Sequence, residues 1–236
     1  MKMLSTLLRP LTLLLLMGGA FAATSCEKED SVNVNQDRIF SEFSLVYNKA
    51  QDKTYARAAF KFGNLTGTGL QLSAPSEVRF GNDVLTFVPL LNYYEKQFAG
   101  QLPQGGTFTF KDTDGKTFVN AVPAPVAVEL PASLVGFAKG SAYTVAWDGA
   151  PVAASETVDV TIDGAGQSDP IQVILQSAVG STSLIVAASN LAPLLNGPAQ
   201  AFTNRTRIVD QLQQGPSAGG RIVSRYEGAP KTVPVQ

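Results

Sequence analysis

The sequence predicts an all-β protein that contains two tandem β-sandwich domains. Apolar and polar residues alternate over short runs along most of the chain, which is the period of half-buried strands. Turn residues recur every eight to twelve positions, a spacing typical of sandwiches. No long segment has the 3.6-residue period of a helix, so an α/β enzyme fold is not expected.

The first domain is predicted over residues 38–122. Alternating runs on either side of the turn-rich segment 48–53 predict a strand pair, with Phe60 and Phe62 pointing into a core. The strongest turn signal is Asp112-Thr113-Asp114-Gly115, because Asp-Gly between alternating runs favours a hairpin.

The second domain is predicted over residues 126–236, after the joint Pro123-Ala124-Pro125. Proline cannot donate to a strand ladder, so two prolines here interrupt the sheet pattern. Residues 157–162 alternate with Val158, Val160 and Ile162 on one face. Trp147 lies within an earlier alternating strand and is predicted to be buried in the core. This unit resembles an immunoglobulin-like β-sandwich without the cystine of antibody domains.

Residues 1–25 have the pattern of a signal peptide. Lys2 and Arg9 provide positive charge, an apolar run follows, and small residues lead to Cys26. The uncharged stretch 10–25 is shorter than the roughly 20 residues that a spanning helix needs. We therefore expect this segment to be removed.

The residues around the cleavage point resemble those of Bacteroidetes-type surface lipoproteins. Ala23-Thr24-Ser25-Cys26 resembles a lipobox, which implies that Cys26 carries acyl chains and anchors the protein in the outer membrane. Lys28-Glu29-Asp30 resembles the signal that sends such lipoproteins to the cell surface. Ordinary cleavage that leaves a spare thiol is the alternative.

Polar composition predicts that residues 26–37 form a flexible tether between the lipid and the first domain. Within this segment Asp30-Ser31-Val32 is similar to the short O-glycosylation motif of the same bacteria, so Ser31 is a candidate for modification.

Composition excludes several kinds of chemistry. The chain has no histidine, which removes the Ser-His-Asp triad and histidine-bound metal sites, and its one cysteine is assigned to lipid. Without residues 1–25 the chain keeps 16 basic and 19 acidic residues, a net charge of −3. Because a nucleic-acid partner normally requires a basic face, no such partner is expected.

Acidic residues could still support hydrolysis if two of them faced each other across a cleft. Four lie near one another in sequence, namely Asp148, Glu156, Asp159 and Asp163. Alternation places Asp159 on the solvent side of its strand, and Asp163-Gly164 predicts a turn. The loop 163–169 is a weaker candidate for calcium, and the sequence predicts neither a metal site nor a cofactor.

Aromatic residues at Tyr93, Tyr94 and Phe98 are the candidate contacts for a glycan. Alternation places Tyr94 and Phe98 on one face of a strand and Tyr93 on the other. The sequence thus favours a non-catalytic surface module that binds a glycan or protein partner or has a structural role. The alternatives are a glycan-binding accessory lipoprotein of a polysaccharide-uptake system and a carboxylate-based hydrolase.

Overall fold

A computed structural model describes residues 28–236, and the predicted signal peptide and Cys26 lie outside the described residues. This part of the chain is almost entirely strands and turns. The only α-helix among the described residues is the single turn Ala188–Leu191. The strands are β1 Lys28–Asp30, β2 Ile39–Asn48, β3 Lys53–Phe62, β4 Gly69–Gln71, β5 Glu77–Phe80, β6 Asp83–Val84, β7 Thr86–Val88, β8 Tyr93–Ala99, β9 Gly106–Lys111, β10 Thr117–Val122, β11 Val128–Glu129, β12 Tyr143–Ala146, β13 Asp148–Gly149, β14 Glu156–Asp163, β15 Gln172–Gln176, β16 Ser183–Val186, β17 Gly197–Val209, β18 Gly220–Glu227 and β19 Lys231–Val235.

One large sheet, called the joint sheet below, contains strands from both the first and the last parts of the described chain. Its strands are hydrogen-bonded in the order β1-β4-β3-β2-β18-β17-β14-β15, with β8 beside β3 and β19 beside β17. Most neighbours are antiparallel, but β18 lies parallel to β2 over eight residues, from Gly220–Ser41 to Glu227–Asn48. The last part of the chain is therefore paired with its first long strand.

Lobe 1 is the sandwich formed by β1–β10. Its second layer is the four-stranded sheet β10-β9-β5-β6, which packs on the inner face of β2, β3 and β8. The core between the layers is rich in phenylalanine. Phe43 stacks on Phe108 at 5.0 Å, and Phe60 lies 4.5 Å from Phe110 between ring centroids. The predicted hairpin is confirmed, since Lys111 pairs with Thr117 across the Asp112–Gly115 turn.

Lobe 2 is the sandwich formed by β11–β19. Two short sheets, β11-β13 and β12-β16, cover the inner face of β14, β17 and β19. Valine, leucine, isoleucine and alanine dominate this core, and Trp147 is buried within it as predicted, with 5% exposure. The all-β architecture of two sandwiches is thus confirmed.

The two lobes are connected by the joint sheet as well as by the segment between β10 and β11. The predicted joint 123–125 does lie between β10 and β11. However, Ile222 of β18 is buried in the lobe 1 core, whereas Tyr47 of β2 is buried in the lobe 2 core. Position along the parallel pair explains this exchange, because inward side chains near its Gly220–Ser41 end meet lobe 1 and those near its Glu227–Asn48 end meet lobe 2.

The structure corrects the expectation of a flexible tether from Lys28 onward. Lys28–Asp30 form strand β1, parallel to β4. Ser31 is fully buried, and its hydroxyl accepts a hydrogen bond from the Ser73 amide at 2.9 Å. Polar residues can order in this way when their hydrogen bonds are satisfied internally. The burial also removes the Ser31 hydroxyl from reach of glycosylation in the folded protein.

The prediction that Phe62 points into the core is wrong, although Phe60 is buried as expected. Phe62 ends β3 with 37% exposure, and the Arg38 guanidinium lies 5.5 Å from its ring centroid. Its cross-strand partner Ile39 is fully buried in the lobe 1 core, so the change from buried to exposed occurs within this pair at the end of β3.

Candidate binding surface

The joint sheet has an outer face, opposite to the two cores, that carries mostly polar side chains. Three ion pairs connect neighbouring positions on this face. Arg57 contacts Glu95 at 2.7 Å, Arg221 contacts Glu42 at 2.6 Å, and Arg225 contacts Glu227 at 3.1 Å. Because strand pairing fixes where each side chain emerges, these groups are held at defined spacings across both lobes.

An aromatic–arginine cluster, made of Tyr55, Arg57, Tyr93, Glu95 and Gln97, lies on the outer face of β3 and β8. The Arg57 guanidinium is 4.7 Å from the Tyr55 ring centroid and 5.2 Å from that of Tyr93. Cation–π contacts at these distances hold both rings beside one cation. The Arg57 and Glu95 side chains are 33% and 12% exposed, so the cluster is accessible at its surface and supported from below.

Glu95, whose side chain is more buried than that of Arg57, connects Arg57 to other side chains of this cluster. Its carboxylate accepts hydrogen bonds from Arg57, from Gln97 at 2.8 Å and from the Tyr93 hydroxyl at 3.4 Å. Burial alone would raise the pKa of Glu95, but the hydrogen bonds from Gln97 and Arg57 outweigh it and hold the pKa below its usual range. Burial raises the pKa of Tyr93, although nearby Arg57 acts in the opposite direction. At neutral pH Glu95 is therefore a carboxylate and Tyr93 a neutral phenol.

An open groove of about 660 Å³ continues the outer face into lobe 2. Thr206, Ile208, Arg225 and Asp159 line part of it. Asp159 accepts hydrogen bonds from Asn204 at 2.8 Å and from Thr161 at 3.1 Å. The groove thus combines fixed polar groups with an apolar wall, a mixture common in ligand sites.

The predicted glycan contacts do not come together as a platform. Tyr94 is buried with 8% exposure, and its hydroxyl accepts a hydrogen bond from the Leu72 amide at 2.7 Å. Phe98 is half-buried and packs 5.5 Å from Phe80. Only Tyr93 lies on the outer face, so the inclusion of Tyr94 and Phe98 as surface contacts is corrected.

The sequence analysis missed Tyr55 and Arg57 as partners of Tyr93. The signal was the alternation of β3, where Ala56 and Ala58 are fully buried and the intervening residues must point outward. What the sequence does not contain is the pairing of Arg57 with Glu95, because β3 and β8 are separated by about thirty residues of chain.

The acidic residues near β14 do not form a catalytic pair. Glu156 points inward, where it contacts buried Arg205 at 3.3 Å and accepts a hydrogen bond from the Ala153 amide. Asp159 points to the outer face, on the other side of the sheet, but with 7% exposure it is buried and not solvated as predicted. Asp148 and Asp163 are exposed at strand ends. A hydrolase of this type needs two carboxyl groups about 5–10 Å apart across one cleft.

In the loops that contain Asp112 and Asp169, the aspartate carboxylates accept hydrogen bonds from backbone amides. The Asp112 carboxylate accepts a hydrogen bond from the Lys116 amide at 2.8 Å. The Asp169 carboxylate accepts from the Gly166 and Leu195 amides at 3.1 and 3.0 Å. Within residues 28–236 there is no group of three or more acidic, histidine or cysteine residues that could hold a metal ion.

Lys28, Glu29 and Asp30 lie in β1, at the edge of the joint sheet, and Cys26 lies outside the described residues. The Lys28 ammonium donates to the Pro89 carbonyl and sits 5.2 Å from the Phe87 ring centroid. In the part of the chain that the structure describes, no helix is long and apolar enough to cross a membrane.

Comparisons with known proteins add little. No family model and no curated protein matches the sequence. Among solved structures, the FN1–FN3 domains of chicken CNTN1 are 11% identical, with 80% of this chain and 65% of that chain covered at a TM-score of 0.24. A structure concerning host cell surface retention of a 1.5-MDa bacterial ice-binding adhesin is 13% identical, with 86% and 66% covered at a TM-score of 0.23. This chain thus spans about two thirds of their length, and superpositions this loose carry no argument about function.

Proposed function

We propose that the protein is a non-catalytic binding module displayed on the surface of the bacterial outer membrane through a lipid on Cys26. The observation that carries the binding role is the aromatic–arginine cluster on the outer face of the joint sheet. Its rings, guanidinium and carboxylate are fixed by mutual contacts and remain partly exposed. Preorganised groups of this kind lose little conformational entropy when a ligand binds.

A glycan is the ligand class that the cluster favours. Sugars have an apolar C–H face that packs on aromatic rings, and hydroxyls that bond to side-chain amides, guanidinium and carboxylate groups. Tyr55 and Tyr93 supply the rings, and Gln97, which is exposed, supplies an amide beside Glu95. A protein partner that lies flat on the sheet is the other candidate, since the lobe 2 groove continues the same face.

The test of binding is a glycan array together with a protein pull-down on the purified mature protein. Tyr93→Ala and Arg57→Ala should abolish the binding that the wild type shows. Arg79→Ala is the matched control, because Arg79 also forms a surface ion pair with a glutamate, Glu77 at 2.9 Å, but on the other sheet of lobe 1. Equal loss in all three variants, or turnover of any substrate, would contradict the proposal.

The test of anchoring is metabolic labelling with a clickable fatty acid. Wild-type protein should be labelled and Cys26→Ala should not, because acylation requires that sulfur. Equal labelling would show that the lipid is elsewhere.

Surface display depends on the similarity of Lys28-Glu29-Asp30 to an export signal. Protease added to intact cells should remove the wild type, whereas alanine at these three positions should protect it. Because Lys28 also contacts Pro89 and Phe87, circular dichroism must show that the triple variant is folded. Digestion that is unchanged in the folded variant would remove the support from this motif.

A further inference from the structure

The loop Pro89-Leu90-Leu91-Asn92, between β7 and β8, exposes two adjacent leucines. Leu90 is 93% exposed and Leu91 is 57% exposed. Single exposed apolar residues are ordinary on protein surfaces. Two successive leucines at a hairpin tip are not, since tips normally carry Gly, Asn, Asp, Ser or Pro. The loop conformation is fixed in part by Asn92, which has a φ of 53°.

This loop lies beside the first described residues of the chain. The Lys28 ammonium donates to the Pro89 carbonyl, and Lys28 pairs in register with Gly69. Gly69 in turn lies against the Asn92 side chain, so closely that a Cβ at position 69 would fall 1.6 Å from the Asn92 Nδ2 atom. Contacts at both ends of the loop therefore hold it next to the start of β1.

Covalent geometry then limits the distance to the proposed lipid. Cys26 is two residues before Lys28, and two residues span at most about 7 Å. A lipidated Cys26 must consequently bring this end of lobe 1 to the bilayer surface. Basic residues occur at the same end, because Lys61 pairs with Gly69 on its other side and Arg38 stacks on exposed Phe62. Glu29, Asp30 and Asp37 lie at this end as well, so the charges balance and the exposed leucines carry the argument for membrane contact.

We propose that Leu90 and Leu91 insert into the interfacial layer of the membrane and, with the lipid on Cys26, fix the orientation of the protein. The proposal rests on the lipidation proposed above. It places lobe 1 against the bilayer and lobe 2 away from it. Tyr93 directly follows the loop, so the aromatic–arginine cluster begins beside the inserted leucines and extends along β8 and β3 to Gln97 and Tyr55. Tyr55 is six residues along β3 from Lys61, which places the far end of the cluster about 20 Å from this end of the strand.

Depth-dependent quenching tests the insertion. Leu90→Cys in the lipidated protein is labelled with an NBD fluorophore and reconstituted in phosphatidylethanolamine–phosphatidylglycerol vesicles that contain nitroxide lipids. Val135→Cys, in lobe 2 with 79% exposure, is the matched control. Acylation of Cys26 removes its thiol, so each variant carries one label. We expect blue-shifted emission and strong quenching at position 90, with neither at position 135.

The outcomes distinguish a failure of loop insertion from a failure of the lipid anchor. If the protein floats with vesicles but position 90 is quenched no more than position 135, the loop does not insert and the inference is overturned. If no variant floats, the lipid anchor is wrong and both proposals fail.

A second measurement uses transfer of the lipidated protein to acceptor vesicles. Leu90→Asn with Leu91→Asn should speed transfer about tenfold or more, since each leucine adds buried apolar area. Val135→Asn with Leu195→Asn, at apolar positions of lobe 2 that are 79% and 57% exposed, should leave the rate unchanged. An unchanged rate for the loop variant would also overturn the inference.

Discussion

The two lobes have the same sandwich architecture but stabilise their cores in different ways. Lobe 1 relies on stacked and edge-to-face phenylalanines, of which Phe43, Phe60, Phe108 and Phe110 are essentially inaccessible to water. Lobe 2 relies on many smaller aliphatic side chains and on one buried ion pair, Arg205–Glu156.

This difference follows from how each lobe covers the joint sheet. Lobe 1 has a regular four-stranded second layer, and large rings fill the space between two continuous sheets. The second layer of lobe 2 is two separate two-stranded sheets joined by loops. The Arg205 guanidinium donates to the carbonyls of Ala150 and Pro151, and so ties one of these loops to β17. In lobe 2 a buried guanidinium therefore holds part of the second layer in place, whereas in lobe 1 strand pairing within one continuous sheet does so.

The largest effect is expected from Phe43→Ala, which should cost about 3–5 kcal/mol of unfolding free energy because it removes a fully buried ring. Ile162→Val in the lobe 2 core should cost only about 0.5–1.5 kcal/mol. Urea unfolding followed by circular dichroism, which reports on both lobes, measures both.

The same urea unfolding, followed by Trp147 fluorescence, shows whether the lobes unfold together. Trp147 reports on lobe 2, so a shift of its midpoint in Phe43→Ala would mean that the joint sheet couples the lobes. An unchanged Trp147 midpoint would mean that each lobe unfolds independently, as the predicted boundary at 123–125 implies.

For the buried ion pair of lobe 2, removing one charge should destabilise the protein more than removing both, an effect that the phenylalanines of lobe 1 cannot show. Arg205→Met leaves Glu156 buried without its cation and should cost about 3 kcal/mol. Arg205→Met with Glu156→Leu removes both charges and should be less destabilised than Arg205→Met alone. Thermal unfolding of the wild type, Arg205→Met, Glu156→Leu and the double variant gives the coupling energy, and strict additivity would show that the two groups do not interact.

Local patterns predicted the strands well and the pairing of distant strands poorly. The Asp112–Gly115 hairpin, the inward face of β14 and the burial of Trp147 all depend on neighbours in sequence, and the sequence carries those signals. The parallel pairing of β2 with β18 joins residues about 180 positions apart, and alternation cannot specify which strands become neighbours.

The same limit applies to the candidate site. Tyr93 was identified from composition, yet its environment depends on Arg57 of a distant strand. Tyr94 and Phe98 were named with it because periodicity separates two faces of a strand without saying which face the core covers. The order of residues 28–38 was missed for a related reason, since its polar side chains bond to partners such as Ser73 that lie far along the chain.

Alkaline pH offers a way to weaken the lobe 2 core, in which Tyr226 is buried. Burial and a hydrogen bond to Glu129 raise the pKa of Tyr226, at the lobe 2 end of β18. The neutral phenol is therefore favoured in the folded state. Its stabilisation is complete below the unfolded tyrosine pKa of about 10 and is lost as pH rises above that value.

We expect the wild type to lose about 1.4 kcal/mol per pH unit above 10 through this residue alone. Tyr226→Phe should be less stable at pH 7, because Glu129 loses its donor, but should have a shallower decline above pH 10. Tyr47, Tyr93 and Tyr94 also have raised pKa values, so part of the decline will remain. Identical slopes for variant and wild type would show that Tyr226 does not contribute to the alkaline loss.

The smallest effects should come from two buried hydroxyl groups, one in each lobe, and they should differ in sign. Thr203 in lobe 2 donates to the Val128 carbonyl at 2.9 Å, so Thr203→Val should cost about 1 kcal/mol by leaving that carbonyl unpaired. Ser41 in lobe 1 is fully buried, and its Oγ has no hydrogen-bond partner among residues 28–236. Ser41→Ala removes an unsatisfied polar atom at the expense of a very small cavity, so stability should stay equal or rise by up to about 1 kcal/mol. Denaturant midpoints resolve both changes, and a loss of more than about 1 kcal/mol in Ser41→Ala would mean that this hydroxyl is satisfied in solution.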